Sequence, residues 1–288
     1  LSSFACAIPG IMASRTISDP RDRLTTIFVA PLMTCSARLP VYALLIAAFI
    51  PSQSVWGIFN LQGLVLFALY MAGILSALIV SFVLKFFSKD KSEHMLLMEL
   101  PSYRFPDIKN VWIGLLDRGK IFLKRVGGII FALSILLWFL CTFPQPPEGA
   151  TLPDIDYSFA GMIGHFIQPI FAPLGFNWQI CIALIPAMAA REVVVAALGT
   201  VYALSAVDED AMSEGLAALI SGGGDLGWTL ATGLSLLVWF IYAPHCLATL
   251  ATVKRETGSW KTVGFMTVYL FGLAYIMSFL TYQIASHY

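Results

Sequence analysis

Ile8-Pro9-Gly10-Ile11-Met12-Ala13-Ser14-Arg15 lies near the start of the chain, and Ile185-Pro186-Ala187-Met188-Ala189-Ala190-Arg191 repeats its pattern far downstream. Each copy is followed by another apolar stretch holding Ala-Pro and then a cysteine. After the first copy it reads Ala30-Pro31-Leu32-Met33-Thr34-Cys35; after the second, Ala243-Pro244-His245-Cys246. Proline removes a backbone donor and frees carbonyls in the turn before it. In lipid, such groups are tolerated only when buried in protein or facing a water-filled cavity. Paired apolar segments with these interruptions in two halves point to a transporter built from repeats, with its site at the breaks.

The rest of the chain fits that setting. Hydrophobic residues make up 58% and charged residues 12%, against roughly 25% charged in soluble domains, and the mean hydropathy is +0.81. This is an all-α, multi-pass membrane composition. Zero net charge gives no field that would attract nucleic acid. Five cysteines without paired spacing do not form a secreted disulfide framework. No cleavable signal is visible. The chain opens at Leu1-Ser2-Ser3-Phe4, without an initiating Met and already inside the first motif, so it is expected to be a piece of a longer protein.

A membrane helix needs about 20 apolar residues. Leu24–Ile50, Gly57–Leu84, Val126–Phe143, Phe159–Phe176, Trp178–Leu204, Trp228–Val253 and Val263–Ile284 are the candidates. With the opening fragment they predict about seven or eight transmembrane or re-entrant segments. Phe159–Phe176 holds Pro169 and Pro173 and either crosses or only dips in; if it does not cross, Trp178–Leu204 becomes a re-entrant hairpin. Four regions follow: 1–84, a first repeat and the helix after it; 85–125, a cytoplasmic loop; 126–177, a connecting region; and 178–288, a second repeat and the last helix. In the loop, Ile108–Arg125 reads as an amphipathic helix on the cytoplasmic surface. Gly114–Lys120 fits part of a phosphate-binding loop, but Ile121 stands where Ser/Thr is needed and no strand precedes it, so the match is chance.

Basic residues cluster at Arg15–Arg23, Lys85–Arg125 and Lys254–Lys261, whereas the Glu148–Asp156 and Asp208–Asp225 segments contain none. The positive-inside rule places the first three in the cytoplasm and the last two outside. The two motif copies then run in opposite directions, the pattern of two inverted repeats with Pro-broken helices.

Cys6, Cys35 and Cys246 stand within four residues of Pro9, Pro31 and Pro244. Sulfur beside bare carbonyl oxygens can hold a borderline divalent metal such as Fe²⁺, although a free cysteine often simply packs. Cys141 and Cys181 lack this setting and are assigned to packing. Met12, Met33 and Met188 follow Pro9, Pro31 and Pro186; gap-filling suits them better than ligation. His245 adjoins Cys246 and is a weak ligand candidate. Arg38, Arg191 and Glu192 fall within apolar spans, where charges face the protein interior and pair. Both arginines are expected to bind a carboxylate or carbonyls freed at a break. Glu256 is either a surface charge or a gate acid.

Taken together, Cys6-Ala7-Ile8-Pro9 with Arg15, and Pro31 followed by Cys35-Ser36-Ala37-Arg38-Leu39-Pro40-Val41-Tyr42, resemble the first Gate segment of FeoB-type ferrous iron transporters. Pro186, Ala190-Arg191-Glu192-Val193, Gly199 and Tyr202 resemble the second. Tyr242-Ala243-Pro244-His245-Cys246 and Arg255-Glu256-Thr257-Gly258-Ser259-Trp260-Lys261 resemble that family's late helix and following loop. The resemblance covers most of the chain and identifies it as the C-terminal membrane (Gate) region. It implies Fe²⁺ as transported substrate, with Cys6, Cys35 and Cys246 on the iron path. It implies a multi-pass location in the bacterial inner membrane, with the lipid bilayer, the family's own N-terminal GTPase domain and small accessory Feo proteins as partners, and it allows a homo-oligomer. GTP and Mg²⁺ belong to the GTPase domain, which this chain lacks, so the chain by itself is expected not to be an enzyme.

Other readings differ in what they need at the breaks. A Gate-type carrier for a nucleoside needs polar side chains there, where this chain has Cys and Met. A carrier for another divalent metal would use the same donors. A membrane thiol enzyme needs a base near its cysteine, and only His245 is at hand. A scaffold whose cysteines merely pack would function with all three replaced.

Overall fold

The computed structural model describes residues 2–50, 53–55, 59–87, 107–144, 157–188, 191, 193–205, 228–244 and 246–287. Both acidic segments, most of the polar 85–106 stretch, Glu192 and His245 lie outside the described residues. The elements are α1 (Ser2–Ala5), α2 (Ala7–Ala13), α3 (Pro20–Val29), α4 (Leu39–Phe49), β1 (Ser54–Val55), β2 (Phe59–Asn60), α5 (Leu61–Phe87), α6 (Ile108–Thr142), α7 (Phe159–Phe171), α8 (Trp178–Ala187), α9 (Val193–Ser205), α10 (Leu230–Tyr242), α11 (Leu247–Thr257) and α12 (Trp260–His287). The fold is helical; β1 and β2 form only a two-residue antiparallel ladder between α4 and α5.

Ordinary chemistry starts five of these helices. Asp19, Asp107, Ser158, Asn177 and Thr229 each cap a helix by accepting a first-turn backbone N–H, which satisfies one of its orphan donors. Four stretches among the described residues are long and apolar enough to cross a membrane: Pro20–Phe49, Leu61–Phe86, Leu230–Thr257 and Trp260–His287. Two of them, Pro20–Phe49 and Leu230–Thr257, are interrupted, at 30–38 and at 243–246. On the outer flanks Phe67, Leu78, Phe82, Phe265 and Val268 are exposed, as lipid-facing side chains should be. This is a multi-pass membrane protein.

The core centres on α10, which packs along α12. Met266, Leu270, Ala274 and Ser278 recur every four residues on α12, all fully buried, and form the contact stripe. Ser235 Oγ donates to the Ser278 carbonyl at 3.2 Å, and Ser278 Oγ returns a bond to the Ser235 carbonyl at 3.0 Å. Small residues let helix backbones approach closely in lipid. Cys181 is buried in the same core.

Two stretches depart from the sequence reading. First, Ile108–Arg125 and Val126–Phe143 are not a surface helix followed by a separate span. They form one helix, α6, of 35 residues, about 52 Å at 1.5 Å per residue, so the boundary at 125–126 falls inside it. Second, Phe159–Phe176 and Trp178–Leu204 become three short helices. α7 has 13 residues, about 20 Å, too short for a core of ~30 Å. Gly175 ends its 3₁₀ extension at φ 79°, a backbone state that glycine adopts without penalty. A bend of 100° separates Phe159–Leu174 from Trp178–Ala187. α8 packs against both α7 and α9.

Candidate functional site

Each candidate cysteine stands at the N-cap position of the helix that follows a break: Cys6 before α2, Cys35 before the 3₁₀ turn Ser36–Arg38, and Cys246 before α11. All three have extended backbone there and are partly exposed. The sulfurs thus occupy the place that Ser, Thr, Asp or Asn takes at the ordinary helix starts. Neither Cys35 nor Cys246 caps its helix through its side chain.

A chain of contacts links the three breaks. Ser36 Oγ donates to the Ala5 carbonyl at 2.9 Å, which brings the Cys35 break beside Cys6. Arg191 Nη1 donates to Cys35 Sγ at 3.8 Å, and its Nη2 donates to the Ala243 carbonyl at 3.0 Å. The Leu247 N–H donates to the Met188 carbonyl at 3.1 Å, tying the end of α8 to the start of α11 beside Cys246. The second motif's arginine therefore bridges a sulfur in the Pro20–Phe49 span and a freed carbonyl in the Leu230–Thr257 span. Among the described residues no group of three or more His, Cys, Asp or Glu side chains is close enough to hold a metal ion.

Arg38 is 0% exposed. Its Nη2 donates to the Pro31 carbonyl at 3.1 Å, within the break that Pro31 creates. Both arginines thus pair with freed carbonyls, as expected for charge within an apolar span. Among the described residues, Arg38 Nε and Nη1, Thr34 Oγ1 and the Tyr42 hydroxyl are buried with no hydrogen-bond partner.

Glu256 is neither a lone surface charge nor within the breaks. Its side chain is 2% exposed, at the end of α11. Arg15 donates to it from Nε at 2.7 Å and Nη2 at 2.5 Å, and Arg23 Nη2 donates at 3.0 Å. That carboxylate holds the Arg15 guanidinium above its ordinary pKa, chiefly through the hydrogen bond. Gly258 ends α11 in the left-handed conformation, φ 67°, the usual helix stop. Lys85 Nζ lies 3.8 Å from Asp22. The ends of all three basic segments therefore meet at one end of the bundle.

The remaining candidates are less engaged. Met12 is exposed, Met33 packs against the core, and Met188 is half-buried. His245 and Glu192 lie outside the described residues. The sequence reading did not single out Arg15 or Arg23 as partners of Glu256, or Thr34 and Tyr42 as buried polar groups. Arg15 carried a usable signal, since it closes the first motif copy as Arg191 closes the second.

A family model described as Gate, nucleoside recognition, matches residues 123–260. Another, described as ferrous iron transport protein B C terminus, matches residues 66–118. A Fe(2+) transporter FeoB of Leptospira interrogans serovar copenhageni is 41% identical over 296 residues, 99% of this chain and 42% of the relative. One from Staphylococcus aureus MSSA476 is 36% identical, across 98% of this chain and 39% of its own length. An Fe(2+) transport protein A/Fe(2+) transporter FeoB fusion protein of Porphyromonas gingivalis is 35% identical, across 99% of this chain and 37% of its own length. The chain thus spans about two fifths of the length of these relatives. No solved structure matches it.

Proposed function

We propose that this chain is a membrane region of the FeoB type, as its similarity to those transporters over nearly its whole length supports, and that it forms the path by which Fe²⁺ crosses the bacterial inner membrane into the cytoplasm. One observation carries the reading: three cysteines stand at helix starts beside breaks, and contacts link Ala5, next to Cys6, to Ser36, next to Cys35, and link Cys35 through Arg191 to the Ala243 carbonyl before Pro244. Sulfur with carbonyl oxygen suits a borderline divalent ion. Open sites of this kind let the ion leave, whereas a closed four-sulfur cage would retain it. Cys6, Cys35 and Cys246 are the proposed ligands, and residues 1–84 and 178–288, each holding one broken span, contain the proposed inverted repeats. Arg38 and Arg191, with Glu192 next to it in sequence, set the charge along the route, and Glu256 pairs with Arg15 and Arg23 at one end of the bundle.

The chain acts here as permease rather than enzyme. GTP and Mg²⁺ would be handled by a separate GTP-binding domain, and small accessory Feo proteins are the proposed partners. The fusion of Fe(2+) transport protein A to one relative supports the latter. The Gate description favours a nucleoside as the competing cargo, but the described side chains at the breaks include no Asn, Gln or carboxylate, and offer thiols, a thioether, guanidiniums and the Thr34 and Ser36 hydroxyls. The test is radiolabelled Fe²⁺ uptake by the full-length protein in sealed vesicles, with Mn²⁺, Zn²⁺ and a nucleoside as competitors. Uptake blocked by the divalent metals supports the reading. Dominant inhibition by the nucleoside contradicts it.

A further inference from the structure

A soft sulfur and a freed backbone carbonyl form the donor pair that the proposed path offers an entering Fe²⁺. Cys35 Sγ and the Ala243 carbonyl are such a pair, one from each broken span, and the Arg191 guanidinium bridges them at 3.8 and 3.0 Å. Arg191 is 6% exposed. Its position is fixed by the turn after α8, where its own carbonyl accepts the Val194 N–H at 3.2 Å. The side chain is therefore aimed from the second motif into the break of the first.

We propose that Arg191 is a built-in surrogate cation: in this conformation its guanidinium occupies the place of the metal between Cys35 and the Ala243 carbonyl, and an entering divalent ion must displace it. The inference rests on the transport reading and adds a gate and a specificity element to it. Two positive charges cannot share one small buried site cheaply, because Coulomb repulsion grows as the local dielectric falls. A resting path is thus closed to hard monovalent cations such as Na⁺ and K⁺, which gain little from sulfur. A soft divalent ion gains enough at Cys35 to take the donors. Withdrawal of the guanidinium also releases the link between the two breaks, while Arg23 and Glu256 still join the same spans at one end, so ion entry and relative movement at the breaks are coupled. Such coupling requires that the ion bind the open arrangement better than the closed one, and competition for one donor pair supplies that difference.

The experiment uses the full-length protein in nanodiscs and Cd²⁺ as probe, read by thiolate-to-metal charge-transfer absorption in the ultraviolet. Cd²⁺ reports binding at Cys35 whether or not iron is carried, so failure of the transport reading and failure of this proposal are distinguishable. In Arg191→Gln, which removes the charge and keeps a donor, apparent Cd²⁺ affinity should rise about tenfold, and the gain should vanish when Cys35→Ser is added. Unchanged or weaker affinity overturns the proposal. Should the Gln variant fail to fold, Arg191→Leu serves instead. It removes both the charge and the bridge, so affinity should rise at least about threefold, and equality with the parent overturns the proposal. A Cd²⁺ signal that persists unchanged in Cys35→Ser alone removes Cys35 as a ligand and overturns it as well.

Discussion

Arg15 and Glu256 lie 241 positions apart, yet both guanidinium donors of the first reach both carboxylate oxygens of the second. The first motif copy is thereby clamped to the end of the second broken span. Arg23 adds a third donor from the start of α3. Bidentate pairing of this kind is stronger and more directional than a single contact, and the buried carboxylate is shielded from salt more than an exposed one.

Charge reversal should expose that clamp. Glu256→Arg sets three cations together and should lower both folded yield and thermal stability of the full-length protein. Glu256→Gln should do so less. Adding Arg15→Glu to Glu256→Arg should restore much of the loss. A thermal-shift series on purified variants checks this; no rescue in the swapped pair would mean that the contact contributes nothing.

The convergence of Arg15, Lys85 and Glu256 at one end predicts one-sided accessibility. Single cysteines placed at Arg21, Lys85 and Lys254 should react with a membrane-impermeant maleimide only in inverted vesicles. Labelling of one from the opposite side would break the arrangement, because ion pairs cannot bridge a bilayer.

Arg38 has no solvent to retreat to. Arg38→Ala loses one charged hydrogen bond to the Pro31 carbonyl and leaves a cavity, a cost on the order of 2–3 kcal/mol. The expected result is a clearly lower melting temperature together with reduced uptake. An unchanged melting temperature would show that the break at Pro31 is held by other groups.

The reciprocal Ser235–Ser278 bonds predict a steep size dependence. Ser278→Ala should cost about 0.6 kcal/mol, the average for such bonds in a membrane bundle. Ser278→Leu should cost several-fold more, since α10 and α12 must then part. Equal melting temperatures for the two variants would contradict the close packing.

What could be read from the sequence depended on how local the signal was. The breaks at Pro31 and Pro244 were legible because proline removes a backbone donor and disfavours a continuous helix, although Pro169 and Pro186 lie inside α7 and α8. The pairing of Arg38 and Arg191 was legible because buried charge must find carbonyls or carboxylates. Continuity of α6 was hidden by its change of composition: charges fill Ile108–Arg125 and are absent beyond, yet Gly127 and Gly128 do not stop the helix. The short helices α7 to α9 were obscured because apolar length alone cannot distinguish a span from a folded-back pair. The Glu256 clamp had no local signature, since its partners lie more than 230 positions away.

The central claim, that the cysteines at the breaks carry the ion, is tested most directly by radiolabelled Fe²⁺ uptake in sealed vesicles by the full-length protein carrying Cys35→Ser or Cys181→Ser. Serine keeps the approximate size and loses the soft ligand, and Cys181 is a core residue away from the breaks. Uptake should fall at least about tenfold in Cys35→Ser, which corresponds to roughly 1.4 kcal/mol, with folded yield intact, and should stay near the parent level in Cys181→Ser. Parent-level uptake by Cys35→Ser would contradict the account.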